Sequence, residues 1–380
     1  MNYLAVDLYQ DFECIADACP NTCCAGWTIV IDEATCKKMI EHEEQLEIPA
    51  NEWLTEKDGC TIAKLKNHRC PMLNNNNLCD VVLKLGPEYL SDTCKKYPRR
   101  FRLYGNVMEM HLAMSCPAVI SKLMDKESVQ FDFYEDKNTI SQYPYTNLYL
   151  FECAVRTGIV DILQTFPDIT LSTRLFASFN ILDKAIQLYQ KEQADFSLLQ
   201  QEIHFYSQEN TLRSLDIQLH NIVNESSRYA FLQQLQATIS EQANYGRFGS
   251  LAQQTYNYLH HTNQEDYLSD LASFRASIQE YHNFYTNYWV YRIFSDFLEI
   301  PNYELAKEKL LYIAMEFCCI QTMALVSFSK YKKLNRDEYI YIISSISRME
   351  HNESFCQQII AKLYENNIVS VAGLLLMILI

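Results

Sequence analysis

The sequence predicts a mainly α protein, in which an irregular, cysteine-rich N-terminal domain (residues 1–125) is followed by an all-α helical domain (residues 126–380). Ten of the 14 cysteines lie before residue 117. Glycine is scarce, with 8 residues, whereas tyrosine and phenylalanine number 26 and 19, a composition that favours long helices over turn-rich sheets. Beyond residue 125, apolar residues recur every three or four positions, which is the period of a helix with one buried face.

The N-terminal domain is expected to contain little regular secondary structure. The segment Trp27–Ile31 has the composition of a short strand, and a helix is expected to begin near Asp32. Four consecutive asparagines, Asn74 to Asn77, predict a loop between two cysteine-bearing segments. Prolines are expected to interrupt any longer helix, at Pro20, Pro71, Pro87, Pro98 and Pro117.

The second domain is predicted to contain about ten helices after a short strand at residues 129–133. Asn335 and Glu338 have the spacing of a capping box and predict a helix start. The apolar residues 368–380 predict a final core helix, because a membrane span needs roughly 20 such residues. The other helices are predicted at residues 147–165, 175–189, 197–207, 209–223, 225–242, 250–260, 264–297 and 303–328.

The charge of the chain excludes some classes of partner. With 32 basic and 47 acidic residues the formal net charge is −15, whereas a nucleic-acid-binding protein needs a basic surface. The first residues have neither a basic start nor a long apolar run, so no secretory signal is expected. These features predict a cytoplasmic protein with no membrane span and no nucleic-acid partner.

Several common catalytic motifs are absent from the sequence. The eight glycines form no G-x-G-x-x-G after a strand and no G-x-x-x-x-G-K-[ST], so neither a Rossmann-type pocket nor a P-loop is expected. H-E-x-x-H and G-x-S-x-G are also missing. The chemistry must therefore be sought in the cysteines.

Eight of the N-terminal cysteines form the candidate metal site. All eight lie in loop-like contexts next to proline, glycine or asparagine, from which ligands can converge from several directions. Thiolates are soft ligands, and sets of four bind iron–sulfur clusters or Zn²⁺. A reducing compartment also favours metal binding over disulfides. The eight residues are Cys14, Cys19, Cys23, Cys24, Cys70, Cys79, Cys94 and Cys116.

The spacing of these cysteines favours an iron–sulfur cluster, with zinc as the alternative metal. Zinc sites usually contain two short Cys-x2–4-Cys hooks, whereas the gaps in the second half are 8, 14 and 21 residues long. Disulfides or free buried thiols are a third possibility. Eight thiols exceed the four that one cluster needs, so either a second metal site exists or some of them are core residues. Cys36 and Cys60 lie outside the motif and are interpreted as structural.

A basic run follows Cys94 in this otherwise acidic chain. Arginines near an anionic cluster stabilise it and can also hold a carboxylate ligand. We therefore expect Arg99 to have one of these roles and not only to be a solvated surface charge. The run contains Lys95, Lys96, Arg99, Arg100 and Arg102.

The cysteine blocks resemble the flagellin lysine N-methylases. The resemblance is specific over residues 12–117 and looser in the helical part, where Asn283 to Arg292 and Ser347-Arg348-x-Glu350-His351 resemble further blocks. The specific blocks contain Phe12-Glu13-Cys14-Ile15, Cys19, Thr22-Cys23-Cys24, Gly26-Trp27, Cys70-Pro71, Leu78-Cys79-Asp80, Cys94, Tyr97-Pro98-Arg99 and Ser115-Cys116-Pro117.

The resemblance implies transfer of methyl groups from S-adenosylmethionine to lysine side chains of flagellin in the cytoplasm. It also implies a cysteine-bound iron–sulfur cluster, of the 4Fe-4S type. Trp27 and Arg99 are the candidate residues for binding S-adenosylmethionine. Glu350 and His351 are candidates to act together as a general base. Two alternatives remain open: a non-enzymatic zinc- or iron-binding interaction module, and a redox sensor with low-pKa cysteines.

Overall fold

The structure is a computed structural model in which most of the described residues are helical, as the sequence predicts. A small sheet and a hairpin accompany the helices. The described residues are 2–57, 60–63, 65–104, 107–135, 147–190, 195–222, 224–243, 246–296, 303–351 and 353–366, together with 370, 373 and 375.

The strands form one four-stranded sheet in the order β4-β5-β1-β6 and one separate hairpin, β2-β3. In the four-stranded sheet, β1 is parallel to β5 and antiparallel to β6, and β4 and β5 form an antiparallel pair. The strands are β1 (Asn2–Val6), β2 (Leu54–Lys57), β3 (Cys60–Ala63), β4 (Arg99–Tyr104), β5 (Val107–Leu112) and β6 (Phe131–Tyr134).

Seventeen α-helices lie in the described part of the chain. They are α1 (Glu33–Glu41), α2 (Glu43–Leu46), α3 (Ala50–Trp53), α4 (Asp80–Lys84), α5 (Asp92–Lys96), α6 (Pro117–Met124), α7 (Asn147–Thr165), α8 (Leu171–Gln190), α9 (Phe196–Tyr206), α10 (Glu209–Ile222), α11 (Glu225–Gln242), α12 (Gly246–His261), α13 (Gln264–Ser277), α14 (His282–Asp296), α15 (Tyr303–Tyr331), α16 (Arg336–Ser347) and α17 (Glu353–Glu365). Short 3-10 helices occur at Ala16–Ala18, Pro87–Tyr89, Gln279–Tyr281 and Arg348–His351.

The apolar period locates the helices of the second part well. The predicted helix over residues 147–165 coincides with α7, and Asn335 caps α16 by accepting a hydrogen bond from the Glu338 backbone N–H at 2.8 Å. The single helix predicted over residues 264–297 is wrong, because the chain breaks into α13 and α14. Ile278 ends α13 with a φ of −100° and a ψ of 8°, and the 3-10 helix Gln279–Tyr281 separates it from α14.

The strand predictions are only partly confirmed. The predicted strand at 129–133 is present as β6, but the sequence gives no sign of the sheet that it joins. Residues 27–31 form no regular strand; instead Ile31 N–H donates to Thr61 O and Ala63 N–H donates to Ile29 O, both at 2.9 Å. The helix expected near Asp32 is α1, whose first turn that carboxylate caps.

The described residues pack into two hydrophobic cores. The small core contains only N-terminal residues, which are Ile29, Ile31, Met39, Leu46, Trp53, Ala63, Met72 and Val81. The large core joins the second-part helices to β1, β5 and α6, through residues such as Val6, Leu112 and Val119. The division of the chain at residue 125 stays a prediction, and the hydrophobic packing groups the four-stranded sheet with the helices.

One helix in the described residues is apolar and long enough to cross a membrane, by length and composition only. It is Glu308–Tyr331, within α15, and 89% of its most apolar window is buried inside the protein. That burial is typical of a central core helix. The apolar C-terminal stretch lies almost wholly outside the described residues, of which only Ser370, Gly373 and Leu375 belong to it.

A buried ion pair fixes the sheet to the helices. Glu109 on β5 is fully buried and accepts two hydrogen bonds from the Arg156 guanidinium of α7, at 2.5 and 2.9 Å. The hydroxyl of Tyr149 donates to the same carboxylate at 3.2 Å. Because both charges are out of water, each depends on the other to offset its lost hydration.

Replacing Glu109 tests this coupling. Glu109→Ala should lower the free energy of unfolding by about 3–5 kcal/mol, because the Arg156 charge stays buried without its partner. Urea denaturation followed by circular dichroism measures the change. The matched control is Glu33→Ala, which removes a solvent-exposed pair with Lys37 and should leave the free energy of unfolding nearly unchanged. Equal effects of the two substitutions would contradict the argument.

Candidate functional site

All eight cysteines singled out from the sequence line one cavity, with a volume of about 560 Å³. Trp27 and Arg99, the two predicted cofactor-binding residues, line it as well. No disulfide joins any of these cysteines, since all eight are free thiols. The structure therefore brings together side chains that the sequence spreads over a hundred residues. Their role as metal ligands stays a prediction.

The first two cysteines flank a single helical turn. Cys14 precedes the 3-10 helix Ala16–Ala18, and its sulfur accepts a hydrogen bond from the Ala16 backbone N–H at 3.4 Å. Cys19 ends that turn, with its N–H donating to Ala16 O at 3.2 Å. Both thiols line the cavity from the two ends of this short turn.

The Cys23-Cys24 pair is held next to the second cysteine block by backbone pairing. Cys70 N–H donates to Cys24 O at 2.8 Å, and Gly26 N–H donates to His68 O at 2.9 Å. Gly26 has a φ of +84°, a conformation that glycine adopts far more readily than any other residue. The backbone conformation at this position therefore explains why the cysteine motif contains a glycine.

The Asn-rich loop predicted from the sequence is present and closes on itself between Cys70 and Cys79. The Asn74 side-chain oxygen accepts hydrogen bonds from the backbone N–H of Asn76 and Leu78, at 2.9 and 3.1 Å. An isolated bridge pairs Leu73 with Cys79. A tight loop of this kind places the thiols at its two ends on the same side of the cavity.

Three cysteines stand at the start of helices. Cys79 precedes α4, Cys94 lies in the first turn of α5, and Cys116 precedes α6. Ser91 caps α5 by accepting from Cys94 N–H at 3.3 Å. Backbone N–H groups at a helix start favour negative charge, so these positions suit thiolate ligands.

Burial is the main influence on the ionisation of most of these thiols. It raises the pKa of Cys70 to about 12 and the pKa values of Cys79 and Cys116 to about 11. The pKa values of Cys19 and Cys94 are raised for the same reason. Thiols of this kind are neutral at pH 7 and poorly reactive. A metal would have to displace their protons on binding.

Cys24 is the exception among the eight. A hydrogen bond with the Cys23 thiol is the largest cause that lowers its pKa, to about 7, and raises the pKa of Cys23. Hydrogen bonding to Thr22 and the positive charges of Arg348 and Arg69 lower the Cys24 pKa further, against the effect of burial. Cys24 is thus the thiol best prepared to act as a thiolate.

Aromatic and cationic groups form one wall of the cavity. The Trp27 indole N–H donates to Cys23 O, and its ring lies 5.6 Å from the ring of Tyr97. The Arg99 guanidinium lies 5.2 Å from the Phe12 ring and donates to Phe12 O at 3.3 Å. Among the residues that the structure describes, Arg99 has no carboxylate partner. Its charge is thus available for an anionic group in the cavity.

The cysteine loops are attached to the helical part through Asn21. This side chain is fully buried and donates to Ser344 Oγ at 2.8 Å and to Ser345 Oγ at 3.2 Å, both on α16. Its oxygen accepts from Arg247 at 2.5 Å. Arg348 donates to Asn21 O and to Ala25 O. The C-terminal half of the chain therefore supplies charge and rigidity to the cysteine site.

The sequence predicts no role for Asn21 or Arg348, although both lie within the segments that resemble the flagellin lysine N-methylases. Their positions differ by more than 300 residues, so only the fold reveals the contact. Cys36 does not line the cavity, and its structural role stays a prediction. The side chains of Cys60, Glu350 and His351 lie outside the described residues. No three described His, Cys, Asp or Glu side chains are placed to hold a metal ion.

Comparison with known proteins indicates a family. Residues 156–377 match the family described as FliB lysine N-methylase C-terminal domain. The chain is 31% identical over 126 residues to the flagellar biosynthetic protein FliU of Salmonella muenchen, covering 30% of this chain and 72% of that protein. No solved structure matches.

Two further relatives carry the name lysine-N-methylase. The protein of Salmonella choleraesuis is 30% identical over 125 residues, and that of Salmonella typhimurium is 31% identical over 121 residues. Each match covers 30% of this chain and 30% of the relative. The matched segment thus spans less than a third of these two proteins. The eight cysteines lie before the residues that the family domain matches.

The contact through Arg348 can be tested by hydrogen exchange. Arg348→Ala should speed the exchange of backbone amides in residues 19–27 by about ten-fold or more, since hydrogen bonds to charged groups contribute roughly 1.5–3 kcal/mol. Mass spectrometry of peptic fragments measures the rates. Arg213→Ala, which removes an exposed arginine paired with Asp168 and Glu209, should leave this segment unchanged. Unchanged exchange in Arg348→Ala would show that the contact does not hold the loops.

Proposed function

The chain belongs to the FliB lysine N-methylase family, and from this premise we propose that it methylates lysine side chains of flagellin with S-adenosylmethionine as the methyl donor. We further propose that its eight-thiol cavity holds an iron–sulfur cluster. The observation that carries the proposal is that one cavity combines these thiols with Trp27 and Arg99. Soft metal ligands and groups suited to a sulfonium amino acid thus share one site.

The donor set suits an iron–sulfur cluster better than a single zinc ion. Cysteine thiolates are the usual ligands of such clusters, and eight of them face the same space. A tetrahedral zinc ion needs only four donors, about 2.3 Å from one point, whereas eight thiols line this cavity. A cluster carries its own sulfides and accepts thiolates that lie further apart. When bound, it would supply a fixed, electron-rich centre next to the cofactor.

Arg99 and Trp27 are the proposed contacts for S-adenosylmethionine. The planar guanidinium of Arg99 can bind the methionine carboxylate with two parallel hydrogen bonds, and its stacking on Phe12 holds it in place. The face of Trp27 can attract the positively charged sulfonium by a cation–π contact. Tyr97 packs against Trp27 and fixes the orientation of the indole.

The transfer itself places few demands on the protein. When bound, S-adenosylmethionine would supply the methyl group to the lysine Nζ lone pair, and its sulfur would keep the electrons of the broken bond as a neutral thioether. The nitrogen must first lose its proton, which a low-polarity entrance favours, and must then approach in line with the breaking bond. The largely apolar wall of the cavity, with residues such as Ile29, Trp53 and Met72, supplies such an environment.

Flagellin is proposed as the partner because one relative is described as the flagellar biosynthetic protein FliU, and the cytoplasm is proposed as the place of reaction. The net charge of −15 favours the approach of a lysine-bearing surface. The second candidate is a non-enzymatic metal-binding interaction module. One observation favours it, namely that the cysteines lie outside the matched family domain.

Methyl transfer is tested directly with the purified, iron-loaded protein under anaerobic conditions. Incubation with flagellin and S-adenosylmethionine labelled in the methyl group should give labelled lysines, identified by mass spectrometry of flagellin peptides. Flagellin with its exposed lysines replaced by arginine serves as the control and should stay unlabelled. Absence of label on native flagellin, in a preparation shown to contain cluster, would leave the interaction module as the better account.

The role of Arg99 is tested by measuring the affinity of the protein for S-adenosylmethionine. Arg99→Ala should raise the dissociation constant of S-adenosylmethionine about ten-fold or more, because it removes a charged hydrogen-bond partner of the carboxylate. Arg100→Ala is the matched control, since Arg100 is exposed and does not line the cavity. Calorimetric titration of the iron-loaded proteins measures both constants. Equal affinities for the two variants would remove Arg99 from the site.

A further inference from the structure

The mouth of the cysteine cavity is formed by apolar side chains that remain exposed to solvent. Ile15, Val82 and Leu83 all line the cavity, yet their exposed fractions are 39%, 38% and 57%. Pro87 is exposed as well and belongs to the same lining. A residue that both lines a cavity and is open to solvent lies at its entrance. These four residues form what we call the apolar rim.

One side of the apolar rim is part of α4, which is attached to the small core. Val81 is buried in that core, and Asp80 N–H donates to Met72 O at 2.8 Å. Consecutive residues of a helix point about 100° apart, so Val82 and Leu83 project away from the core that Val81 faces. Solvent-facing helix positions usually carry polar residues. An exposed apolar pair at a cavity entrance therefore indicates a binding surface.

The other side of the apolar rim, at Ile15, is close to the proposed contacts of S-adenosylmethionine. Ile15 follows Phe12 by three residues, and Arg99 both stacks on the Phe12 ring and donates to Phe12 O at 3.3 Å. Three residues of chain span at most about 11 Å, so the Cα atoms of Ile15 and Phe12 lie within that distance. A side chain that enters past Ile15 therefore arrives near the residue proposed to hold the methyl donor.

Acidic side chains lie just outside the apolar rim. Asp11, Glu13 and Asp17 are all exposed, and the segment 11–17, which contains Ile15, has no basic residue. In the described part of the chain none of these three carboxylates forms an ion pair. No Asp or Glu among the described residues lines the cavity itself. The acids can therefore attract a lysine ammonium to the mouth without holding its proton inside, where transfer requires the neutral amine.

The apolar rim and these acids together suit a lysine side chain that has apolar neighbours. Lysine combines a flexible four-carbon stem with a charged end, and such stems pack along apolar surface. Apolar residues on either side of the lysine would cover the exposed surfaces of Ile15, Val82 and Leu83, which are otherwise in contact with water. An acidic or strongly polar segment would gain neither the apolar contact nor the electrostatic attraction.

We propose that the apolar rim is the docking surface for the methyl acceptor, and that it selects a lysine flanked by apolar residues on an accessible segment of the partner protein. The proposal rests on the proposed function, because it assigns the acceptor side of the same cavity. Ile15, Val82 and Leu83 are its specificity-determining residues. The exposed acids of the segment 11–17 speed the approach of the lysine.

Peptide binding to the iron-loaded full chain tests the docking surface apart from catalysis. The probes are two fluorescent synthetic peptides, each with one lysine, which is flanked by leucine on both sides in one peptide and by serine in the other. Fluorescence anisotropy measures their dissociation constants. The wild-type protein should bind the leucine peptide about ten-fold more tightly, because its two apolar side chains leave water on binding.

Substitutions in the apolar rim should reduce this preference. Ile15→Ser and Leu83→Ser should each lower it to about three-fold or less, because each removes part of the apolar contact. Both residues are exposed, so the fold should persist, which circular dichroism verifies. The matched control is Ile217→Ser on α10, because Ile217 is 67% exposed and does not line the cavity. This control should keep the full preference.

The acidic segment is tested with a third peptide, in which norleucine replaces the lysine between the two leucines. Combining Asp11→Asn, Glu13→Gln and Asp17→Asn should weaken binding of the lysine peptide about two-fold or more at low ionic strength, and added salt should remove the difference. Binding of the norleucine peptide should not change. Glu265→Gln, which neutralises an exposed acid on α13, is the control and should affect neither peptide.

The outcomes separate this proposal from the proposed activity. Equal binding of the leucine and serine peptides to the wild type, or an effect of Ile217→Ser as large as that of Leu83→Ser, would overturn the docking surface. The expected preference without methyl transfer to flagellin would support the docking surface and contradict the activity. Transfer to flagellin with no preference between the peptides would support the activity and contradict the docking surface.

Discussion

The site depends on a short stretch of backbone pairing between residues 24–26 and residues 68–70. Two hydrogen bonds, Cys70 to Cys24 and Gly26 to His68, join the first cysteine block to the second. Such bonds contribute only about 0.5–1.5 kcal/mol each. They set the register of the two blocks, and the positive φ of Gly26 makes the turn into that register possible. The alignment places the Cys23-Cys24 pair beside Cys70.

Backbone pairing of this size cannot stabilise the cysteine loops by itself. The small core beneath them contains few residues, so the loops need support from elsewhere. The structure provides one source of support, the contacts of Asn21 and Arg348 with the helical part. Bound metal is the proposed second source, since ligation of thiolates contributes directly to folding free energy. The same contacts would couple the state of the metal site to the helices.

Local sequence patterns predict the helices and the cysteines that line the cavity, because both follow from residue type and spacing. The stripe of apolar residues locates α7, and Asn335 marks the start of α16. Contacts between distant segments are not encoded in this way. The parallel pairing of β1 with β5, the end of α13 at Ile278 and the contact of Arg348 with Asn21 all depend on the tertiary fold.

The account centres on thiolates of the cysteine cavity acting together as ligands of iron and sulfide. X-ray absorption at the iron edge tests this most directly, on protein isolated without oxygen. The account predicts iron surrounded by sulfur alone, with a second shell of neighbouring iron atoms that only a cluster provides. Iron bound mainly by oxygen or nitrogen, or a first shell of sulfur with no iron neighbour, would contradict it.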